Sequence, residues 1–584
     1  MLTSSASSSP AVAASARVAP TWRERMLAAW RAPRSPQAIV FILVLWFTVT
    51  ANWALWMRLG HVDGHNGSPW VLRAQFLLLV VPALTMVLSL TAWPRGMKPV
   101  WALLLVVAAA TQHFMLAYGT VVDPGMVRNV LQTHASESAD LLHPLLLLHL
   151  AVVVVVPLVW LWQVPVQRAG ALRSLWRTTA MAVAAALVLV GSVFAMYRDL
   201  APVVRNNMAL RFMLNPASPV LSTLDVVVKP LFKRPKPFVS IAAGATLGPG
   251  LTAAQGAERV PLLVLVVGET ARSDHFGLNG YERDTTPELA RRGVLSWTNV
   301  RSCGTSTLES VPCMFSHLGR SGYLKRVAQY DNLLDVLQTA GLAVLWLDNQ
   351  AGCKGVCERV PSASTDDAQK TPAGQALCTD GECLDLLMLE GLDERIARLP
   401  EDARARGVVL VLHQMGSHGP AYHRRSAPER KVFEPECRTH ALADCPRDQL
   451  INVYDNSIRE TDHFLGRTLD WIAARKDRYD GGMVYVSDHG ESLGEMGLYL
   501  HGMPYAVAPD VQKHVPLVAA LGPLGARRGI DTACLQAGLG QPLTHDNLYH
   551  SVLGLLDVRS PTYQQGLDMF ASCRPATQRV AQAS

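Results

Sequence analysis

The sequence predicts a five-helix transmembrane domain followed by an α/β domain whose mostly parallel sheet has helices on both faces. Hydrophobic residues make up 49% of the 584-residue chain and charged residues only 17%, and the apolar residues are concentrated in the first 200 positions. Beyond residue 240, short apolar runs alternate with helix-length stretches. A chain of this length is too long to fold around a single hydrophobic core, so we expect at least two domains.

Five stretches contain no Asp, Glu, Lys or Arg and are long enough to cross a bilayer. Each ends near Trp or Tyr, as residues at a membrane interface do. Buried helices of a soluble protein are the alternative, but such a protein hardly needs five uncharged runs of this length. The predicted spans are 38–57, 74–93, 100–118, 145–162 and 178–197.

The short loops predict the orientation. Ten Lys and Arg residues lie in the N-terminal segment and in the second and fourth loops, whereas only Arg58, Arg73 and Arg128 lie on the other side. Basic loops stay in the cytoplasm, so five crossings place everything after residue 198 outside. Topology also explains the net charge of +6 more simply than nucleic-acid binding does.

The expected domains are a basic cytoplasmic tail over 1–37, the transmembrane domain over 38–197, interfacial helices and a linker over 198–240, and an extracytoplasmic domain over 241–584. The first 16 residues, rich in Ser and Ala, are expected to be a disordered tail rather than a cleaved signal. The 198–240 segment mixes amphipathic character with Pro216, Pro219, Pro230, Pro235 and Pro237.

The cysteines point to the same compartment. An even number in close sequential pairs, with none in the membrane half, predicts five disulfides in an oxidising environment. Zinc knuckles are the alternative, with Cys353 and Cys357 as the best candidate, but the spacings of a zinc ribbon are lacking. The ten are Cys303, Cys313, Cys353, Cys357, Cys378, Cys383, Cys437, Cys445, Cys534 and Cys573.

Short apolar runs at 262–267, 343–347, 408–412, 483–486 and 516–521 predict buried strands, and 449–474 has helical spacing. In such sheets reactive residues gather at the carboxyl ends of the strands. Glu269 follows the first run, and Asp488 and His489 follow the fourth. This register predicts that the three side chains meet.

Glu269, Asp488 and His489 supply the carboxylate and imidazole ligands that zinc accepts, and Thr307 would supply a hydroxyl oxygen. A bound dication would make the threonine alkoxide accessible as a nucleophile toward phosphorus. Separately, Glu269 could be a helix N-terminal residue and Asp488 part of an ordinary turn. Together they predict a zinc-dependent phosphoryl-type transferase. His418 and His501 are candidates for phosphate binding, a second zinc or proton donation.

From about residue 38 to 570 the chain resembles the phosphoethanolamine–lipid A transferases, the family that includes the colistin-resistance enzymes. These are inner-membrane proteins of the alkaline phosphatase and sulfatase superfamily, so the resemblance implies that fold and a periplasmic catalytic domain. The motifs that carry it are Val267-Gly-Glu-Thr-Ala-Arg272, Arg301-Ser-Cys-Gly-Thr-Ser-Thr307, Val311-Pro-Cys-Met-Phe315, His413-Gln-Met-Gly-Ser-His418-Gly-Pro420, Asn456-Ser-Ile458 and Ser487-Asp-His-Gly-Glu491.

The resemblance implies zinc at Glu269, Thr307, Asp488 and His489, with Thr307 as the nucleophile. It also implies a substrate site at Asn129, Thr133, Glu137, Lys354, His418 and His501, although Ala351 replaces a serine found in some members. The implied disulfides are Cys303–Cys313, Cys353–Cys357, Cys378–Cys383, Cys437–Cys445 and Cys534–Cys573.

The resulting hypothesis is a transferase that moves phosphoethanolamine from phosphatidylethanolamine to a lipid A phosphate. Masking that phosphate would weaken the attraction of polymyxins and other cationic peptides. The enzymatic alternative is the same transfer to core oligosaccharide, periplasmic glucan or protein. The non-enzymatic alternative is a membrane-tethered sensor or binding protein, which predicts a broken metal set, whereas all four candidate ligands are present.

Overall fold

The computed structural model describes residues 21–60, 62, 68–132, 144–232, 235–252, 259–350, 352–379 and 382–575. Its first part is a helix bundle, and its second part is an α/β domain seated on one end of that bundle. The helices of the first part are Trp22–Trp30, Pro36–Val49, Trp53–Arg58, Pro69–Leu88, Met97–Tyr118, Pro124–Gln132, Pro144–Leu150, Val156–Gln163, Ala171–Asn206 and Ala217–Thr223.

Four helical segments of the described chain are long and apolar enough to cross a membrane. They overlap the second to fifth predicted spans. The last helix continues to Asn206, so the expected domain boundary at residue 197 falls inside a helix. The four segments are Pro69–Thr91, Met97–Tyr118, Pro144–Gln163 and Ala171–Tyr197.

The first predicted span, 38–57, is not one helix. It divides into Pro36–Val49, which is only about 21 Å long against a core of about 30 Å, and Trp53–Arg58. The break has a local cause, because Thr48 and Thr50 donate to backbone carbonyls four residues back. Asn52 then donates through Nδ2 to the Phe47 carbonyl at 2.9 Å. The prediction of five uninterrupted spanning helices is therefore not confirmed.

The second part contains an eight-stranded sheet in the order β8-β2-β7-β6-β1-β5-β3-β4. The strands are β1 Val260–Gly268, β2 Leu295–Arg301, β3 Ala343–Asp348, β4 Ser362–Ser364, β5 Val408–His413, β6 Tyr479–Ser487, β7 His514–Ala520 and β8 Leu543–Thr544. Smaller two-stranded pairs are Phe238–Val239 with Gln329–Tyr330, Thr246–Leu247 with Val558–Arg559, Cys378–Thr379 with Glu382–Cys383, and Ser492–Leu493 with Tyr499–Leu500. The helices are Pro249–Thr252, Pro287–Arg291, Thr307–Met314, Gly319–Lys325, Leu333–Thr339, Pro372–Leu377, Leu392–Ala397, Glu401–Arg406, Arg447–Ala473, Gly522–Arg527, Thr532–Ala537 and Asp546–Leu555.

The sheet is mixed, because β7 runs antiparallel to both of its neighbours, β6 and β2, while the other neighbouring pairs are parallel. The sequence predicts a mostly parallel sheet, and it does not predict that β7 runs in the opposite direction. The cause is the connection over 488–513, which leaves β6 and returns to the same edge without a crossover helix. That connection carries several of the predicted site residues.

Both faces of the sheet are buried. Along β1, Leu263 and Leu265 pack in a cluster with the Leu333–Thr339 and Asp546–Leu555 helices. Leu262 and Val264 face the opposite cluster, which includes residues of the Arg447–Ala473 helix. Strands covered on both faces read as continuous apolar runs, which explains why the sequence located them.

The connection over 488–513 also joins the two parts of the molecule. Met503 and Ala508 are buried in the hydrophobic core of the helix bundle. Gly119, at the end of the Met97–Tyr118 helix, has a φ of +67°, and a Cβ there would lie 2.5 Å from the Gly497 carbonyl oxygen. The α/β domain therefore contacts the bundle too closely at this point for any residue larger than glycine.

The structure contains five disulfides, in the same pairs that the family resemblance implies: Cys303–Cys313, Cys353–Cys357, Cys378–Cys383, Cys437–Cys445 and Cys534–Cys573. Each closes a loop of the α/β domain. The Cys303–Cys313 bond brackets the start of the Thr307–Met314 helix and so restrains the residue that begins it.

Candidate metal and nucleophile site

Four residues from three chain segments meet at one edge of the sheet. Glu269 directly follows β1, and Asp488 and His489 directly follow β6. Because β1 and β6 are adjacent and parallel, their carboxyl ends lie side by side. Thr307 is the first residue of the Thr307–Met314 helix, so its side chain lies at the positive end of the helix dipole.

The four side chains are in contact. The Thr307 hydroxyl donates to Glu269 Oε2 at 3.0 Å and lies 3.5 Å from His489 Nε2. The same nitrogen lies 3.3 Å from Glu269 Oε1 and 3.2 Å from Asp488 Oδ2. All four residues are buried, with 5% or less of their surface exposed. The structure thus brings together the whole set that the sequence predicts as ligands and nucleophile.

Two carboxylate oxygens of this cluster, Glu269 Oε1 and Asp488 Oδ2, accept no hydrogen bond from the described residues although both are buried. Such oxygens are costly unless a cation neutralises them. One ligand atom from each of Glu269, Asp488 and His489 lies within 4.8 Å of the others. Oxygen and imidazole donors in this arrangement fit a zinc ion.

The pKa shifts of Glu269, Asp488 and His489 also fit a site for a cation. Burial, followed by the Glu269 carboxylate, raises the pKa of Asp488. Burial opposes ionisation of Glu269, yet the close contact with His489 and the charge of that ring lower the pKa of Glu269. Burial likewise opposes protonation of His489, but the two carboxylates raise its pKa to about 10. Two buried carboxyl groups thus share one imidazole as their source of positive charge. A bound dication would supply the positive charge that the cluster lacks.

The turn that carries Glu269 is held from several sides. Thr270 has a φ of +53°, a left-handed conformation that its neighbours must maintain. The Tyr454 hydroxyl donates to the Thr270 carbonyl at 2.7 Å. On the opposite side, a Cβ on Gly416 would lie 2.7 Å from the Glu269 carbonyl oxygen, so only glycine fits there. The Glu269 side chain is therefore positioned by the packing of the backbone around it.

Ser310 and His545, which were not predicted from the sequence, connect the Thr307–Met314 helix and the Cys303 backbone to the end of β6. Ser310 Oγ donates to the Asp488 carbonyl. His545 Nε2 donates to the Ser487 carbonyl at 2.9 Å, while its Nδ1 accepts from the Cys303 backbone at 3.1 Å. The Nδ1 contact needs a neutral ring, because a protonated Nδ1 cannot accept a hydrogen bond. His545 has no motif around it, so only the fold reveals its role.

His545 predicts a pH dependence of stability. Burial lowers the pKa of His545 to about 4, below the ordinary 6.5. The unfolded chain therefore binds the extra proton first, and the stabilisation, present above pH 6.5, is lost as the pH falls toward 4. This difference in the pKa of His545 corresponds to about 3 kcal/mol in the free energy of unfolding. We expect His545→Gln to lower the unfolding temperature at pH 7 and the gap to wild type to narrow at pH 5. His463→Gln is the control. A difference in unfolding temperature between His545→Gln and wild type that is the same at pH 7 and pH 5 would contradict this prediction.

A cavity of about 200 Å³ opens beside Thr307, between the α/β domain and the helix bundle. The predicted substrate residues Asn129, Lys354, His418 and His501 line it. Phe114, Tyr118 and Met126 of the bundle form an apolar wall that the sequence did not single out. The predicted residues Thr133 and Glu137, and the variant position Ala351, lie outside the described residues.

The two cavity histidines lie close to the metal cluster. The ring centroids of His501 and His489 are 4.3 Å apart, and those of His501 and His418 are 5.2 Å apart. Glu269, His418 and His501 also form a second group whose ligand atoms lie within 4.8 Å of one another. This geometry keeps both uses open, a second cation or phosphate binding.

Two further residues, Glu491 and Gln350, contact the site. Glu491 Oε1 lies 3.3 Å from His501 Nδ1. Burial raises the pKa of Glu491 to about 8. Gln350 donates through Nε2 to Glu269 Oε2 at 3.1 Å. Glu491 ends a motif that the sequence did reveal, whereas Gln350 gave no signal.

Comparison with known proteins agrees with these features. Residues 80–231 match the family model of phosphoethanolamine transferases EptA/EptB, and residues 261–558 match the sulfatase family model. Phosphoethanolamine transferase EptA of Escherichia coli K12 is 38% identical over 84% of this chain and 88% of its own. Phosphatidylethanolamine transferase Mcr-1 of Escherichia coli is 36% identical over 91% and 96%, respectively.

The structural comparison covers both parts of the molecule. The integral membrane lipooligosaccharide phosphoethanolamine transferase A of Neisseria meningitidis superposes with a TM-score of 0.84 at 33% identity. The match covers 92% of this chain and 98% of that one. Bundle, α/β domain and their relative placement are thus shared. The chain belongs to the phosphoethanolamine transferase family, with a sulfatase-like catalytic domain.

Proposed function

We propose that this protein transfers phosphoethanolamine from phosphatidylethanolamine to a phosphate of lipid A through a covalent phospho-threonine on Thr307. One observation carries the proposal: the Thr307 hydroxyl lies within 3.5 Å of the buried Glu269 and His489 side chains and opens onto a cavity walled by the membrane bundle. The names of the relatives described above support the same reaction.

In the first half-reaction Thr307 Oγ1 attacks the donor phosphorus. The bond from phosphorus to the diacylglycerol oxygen breaks, and that oxygen takes up the proton that Thr307 gives away. Glu269, Asp488 and His489 would hold a zinc ion, which when bound lowers the pKa of the Thr307 hydroxyl. His501, whose Nδ1 lies 3.3 Å from Glu491 Oε1, is the proposed proton carrier.

In the second half-reaction an oxygen of the acceptor phosphate attacks the same phosphorus. The bond between phosphorus and Thr307 Oγ1 breaks, and the acceptor's proton returns to Thr307. We assign Lys354, His418 and Asn129, which line the cavity, to the phosphate and ethanolamine groups. Thr133 and Glu137 are proposed to complete the donor contact.

The membrane topology is part of the proposal. We infer that Pro36–Val49 and Trp53–Arg58 together complete a fifth crossing, since their two ends lie at opposite ends of the bundle. Trp30 donates to Gln163 Oε1 at 2.9 Å at one end. Arg58 donates to the Met496 carbonyl of the α/β domain at the other. The N-terminus is then cytoplasmic and the catalytic domain periplasmic, at the bacterial inner membrane.

Mass spectrometry of lipid A from cells with and without the protein tests the proposal. We expect lipid A carrying added phosphoethanolamine only in cells that express it, together with weaker polymyxin binding because the phosphate is masked. Unmodified lipid A beside an altered core oligosaccharide, glucan or protein would instead select the alternative acceptors. No modified product, and no diacylglycerol, would favour a sensor or binding protein.

A further inference from the structure

A second cavity of about 600 Å³ lies in the segment that joins the last membrane helix to the catalytic domain. We call it the interfacial cavity. Its walls come from the short helical turns Met208–Phe212, Ala217–Thr223, Leu224–Val228 and Lys229–Phe232. They combine apolar side chains, such as Phe212 and Leu221, with the cations Arg211 and Lys229 and the carboxylate Asp225, which pairs with Lys229. The mixture of apolar walls and cations is suited to an anionic lipid.

The segment is fixed to the bundle. Asn215 donates through its backbone to Asn52 Oδ1 at 2.9 Å, and Asn52 donates back to the Asn215 carbonyl at 2.9 Å. Ser222 Oγ donates to the Val122 carbonyl at 3.0 Å. These buried contacts give the interfacial cavity a defined position relative to the membrane helices.

The cavity adjoins the reaction site. Pro124 lines the interfacial cavity, while Val122 and Met126, two residues away on either side, line the cavity that contains Thr307. One stretch of chain thus forms a wall of both. A lipid whose headgroup occupies the interfacial cavity lies next to the nucleophile cavity.

The charge favours a phosphate. The Arg211 guanidinium makes no hydrogen bond or ion pair within the parts of the chain that the structure describes, whereas Lys229 pairs with Asp225. On the predicted topology this cationic surface faces the periplasm, where short loops carry few Lys and Arg residues. Arg211 is exposed at this surface and is therefore available to an anionic ligand.

The exposed rim is apolar. Leu221, Leu224, Leu231 and Phe232 expose between 46% and 86% of their surface, all on the same interfacial segment. Such residues beside lysine and arginine are typical of segments that lie in the headgroup region of a bilayer. Acyl chains of a bound lipid would contact this rim while its headgroup reaches Arg211.

We propose that the interfacial cavity binds the acceptor glycolipid, with a phosphate monoester other than the attacking one on Arg211. This inference rests on the proposed function and assigns a place to its second substrate. A phosphate monoester carries a charge of about −1.5 to −2 at neutral pH, whereas the donor headgroup is zwitterionic. An arginine with no carboxylate partner discriminates in favour of the more anionic lipid.

The two half-reactions separate this role from a general defect. Arg211→Gln is expected to release labelled diacylglycerol and form phospho-Thr307 at the wild-type rate, because that step needs only the donor. Transfer to purified lipid A in mixed micelles should fall about 10- to 100-fold, as a rise in the KM for lipid A with the KM for phosphatidylethanolamine unchanged. Arg211→Lys should restore part of the transfer. Lys229→Gln should have a smaller effect, because Asp225 already pairs with Lys229.

Native mass spectrometry of lipid A bound to the detergent-solubilised protein provides a measurement that needs no turnover. We expect weaker retention by Arg211→Gln than by wild type or by Arg95→Gln, an exposed arginine at the opposite end of the bundle. Equal retention by all three proteins overturns the inference, as does a rise in the donor KM, which would make this the donor site. Absence of diacylglycerol release by the wild type would refute the proposed function, while the retention experiment still judges the lipid site.

Discussion

Thr307→Ala protein should release no labelled diacylglycerol from fluorescent phosphatidylethanolamine, with a rate at least about 1000-fold below wild type. The reason is geometric. Thr307 Oγ1 is the hydroxyl that contacts both Glu269 and His489 at the start of a helix. Removing it leaves the metal ligands without an attacking atom.

Thr307→Ser is the matched control, because it keeps the hydroxyl and removes only a methyl group. It should retain measurable release, and the trapped phosphoryl group should then be found on Ser at this position by peptide mass spectrometry. Full activity of Thr307→Ala, or a phosphorylated side chain elsewhere in either protein, would contradict the assignment of the nucleophile.

Glu269→Gln and Asp488→Asn should each weaken zinc binding by at least about 100-fold, more than the loss of a residue that only orients a ligand. The neutral amides keep the shape of the acids but remove the charge that makes their buried oxygens suitable for a dication. Metal content of the purified proteins, measured after dialysis against a zinc buffer, checks this without reference to activity.

Asp274→Asn is the control for that experiment, since Asp274 is a nearby carboxylate that pairs with Arg272 and does not contact the cluster. It should retain the zinc content of wild type. Unchanged zinc in both Glu269→Gln and Asp488→Asn would reject these residues as ligands. Loss in all three proteins would point to misfolding, which the unfolding temperature would show.

The sequence predicted the catalytic domain in most respects because its strands are covered on both faces. Continuous apolar runs located β1, β3, β5, β6 and β7, and the long helix appeared at Arg447–Ala473 where 449–474 was expected. Strand direction has no such signature. The antiparallel β7 depends on a connection without a crossover helix, and apolarity alone does not reveal it.

The first membrane span shows the opposite case. Its composition is uniformly apolar, yet Thr48, Thr50 and Asn52 bond to nearby carbonyls and divide the helix. At the site, sequence motifs carried the candidate ligands and the candidate nucleophile, whereas Ser310, Gln350 and His545 were missed. These residues act through backbone groups or through another side chain, so their importance depends on what the fold places beside them.

Seating of the catalytic domain on the bundle has a consequence for substrate choice. Met503 and Ala508 lie inside the bundle core, and a Cβ on Gly502, next to His501, would lie 3.2 Å from Met126. Severing the domain from its anchor would leave the ligands clustered but remove Phe114, Tyr118 and Asn129 from around the nucleophile. We therefore expect a truncated protein to keep the candidate metal ligands together and to select less strongly for lipids over water-soluble phosphodiesters.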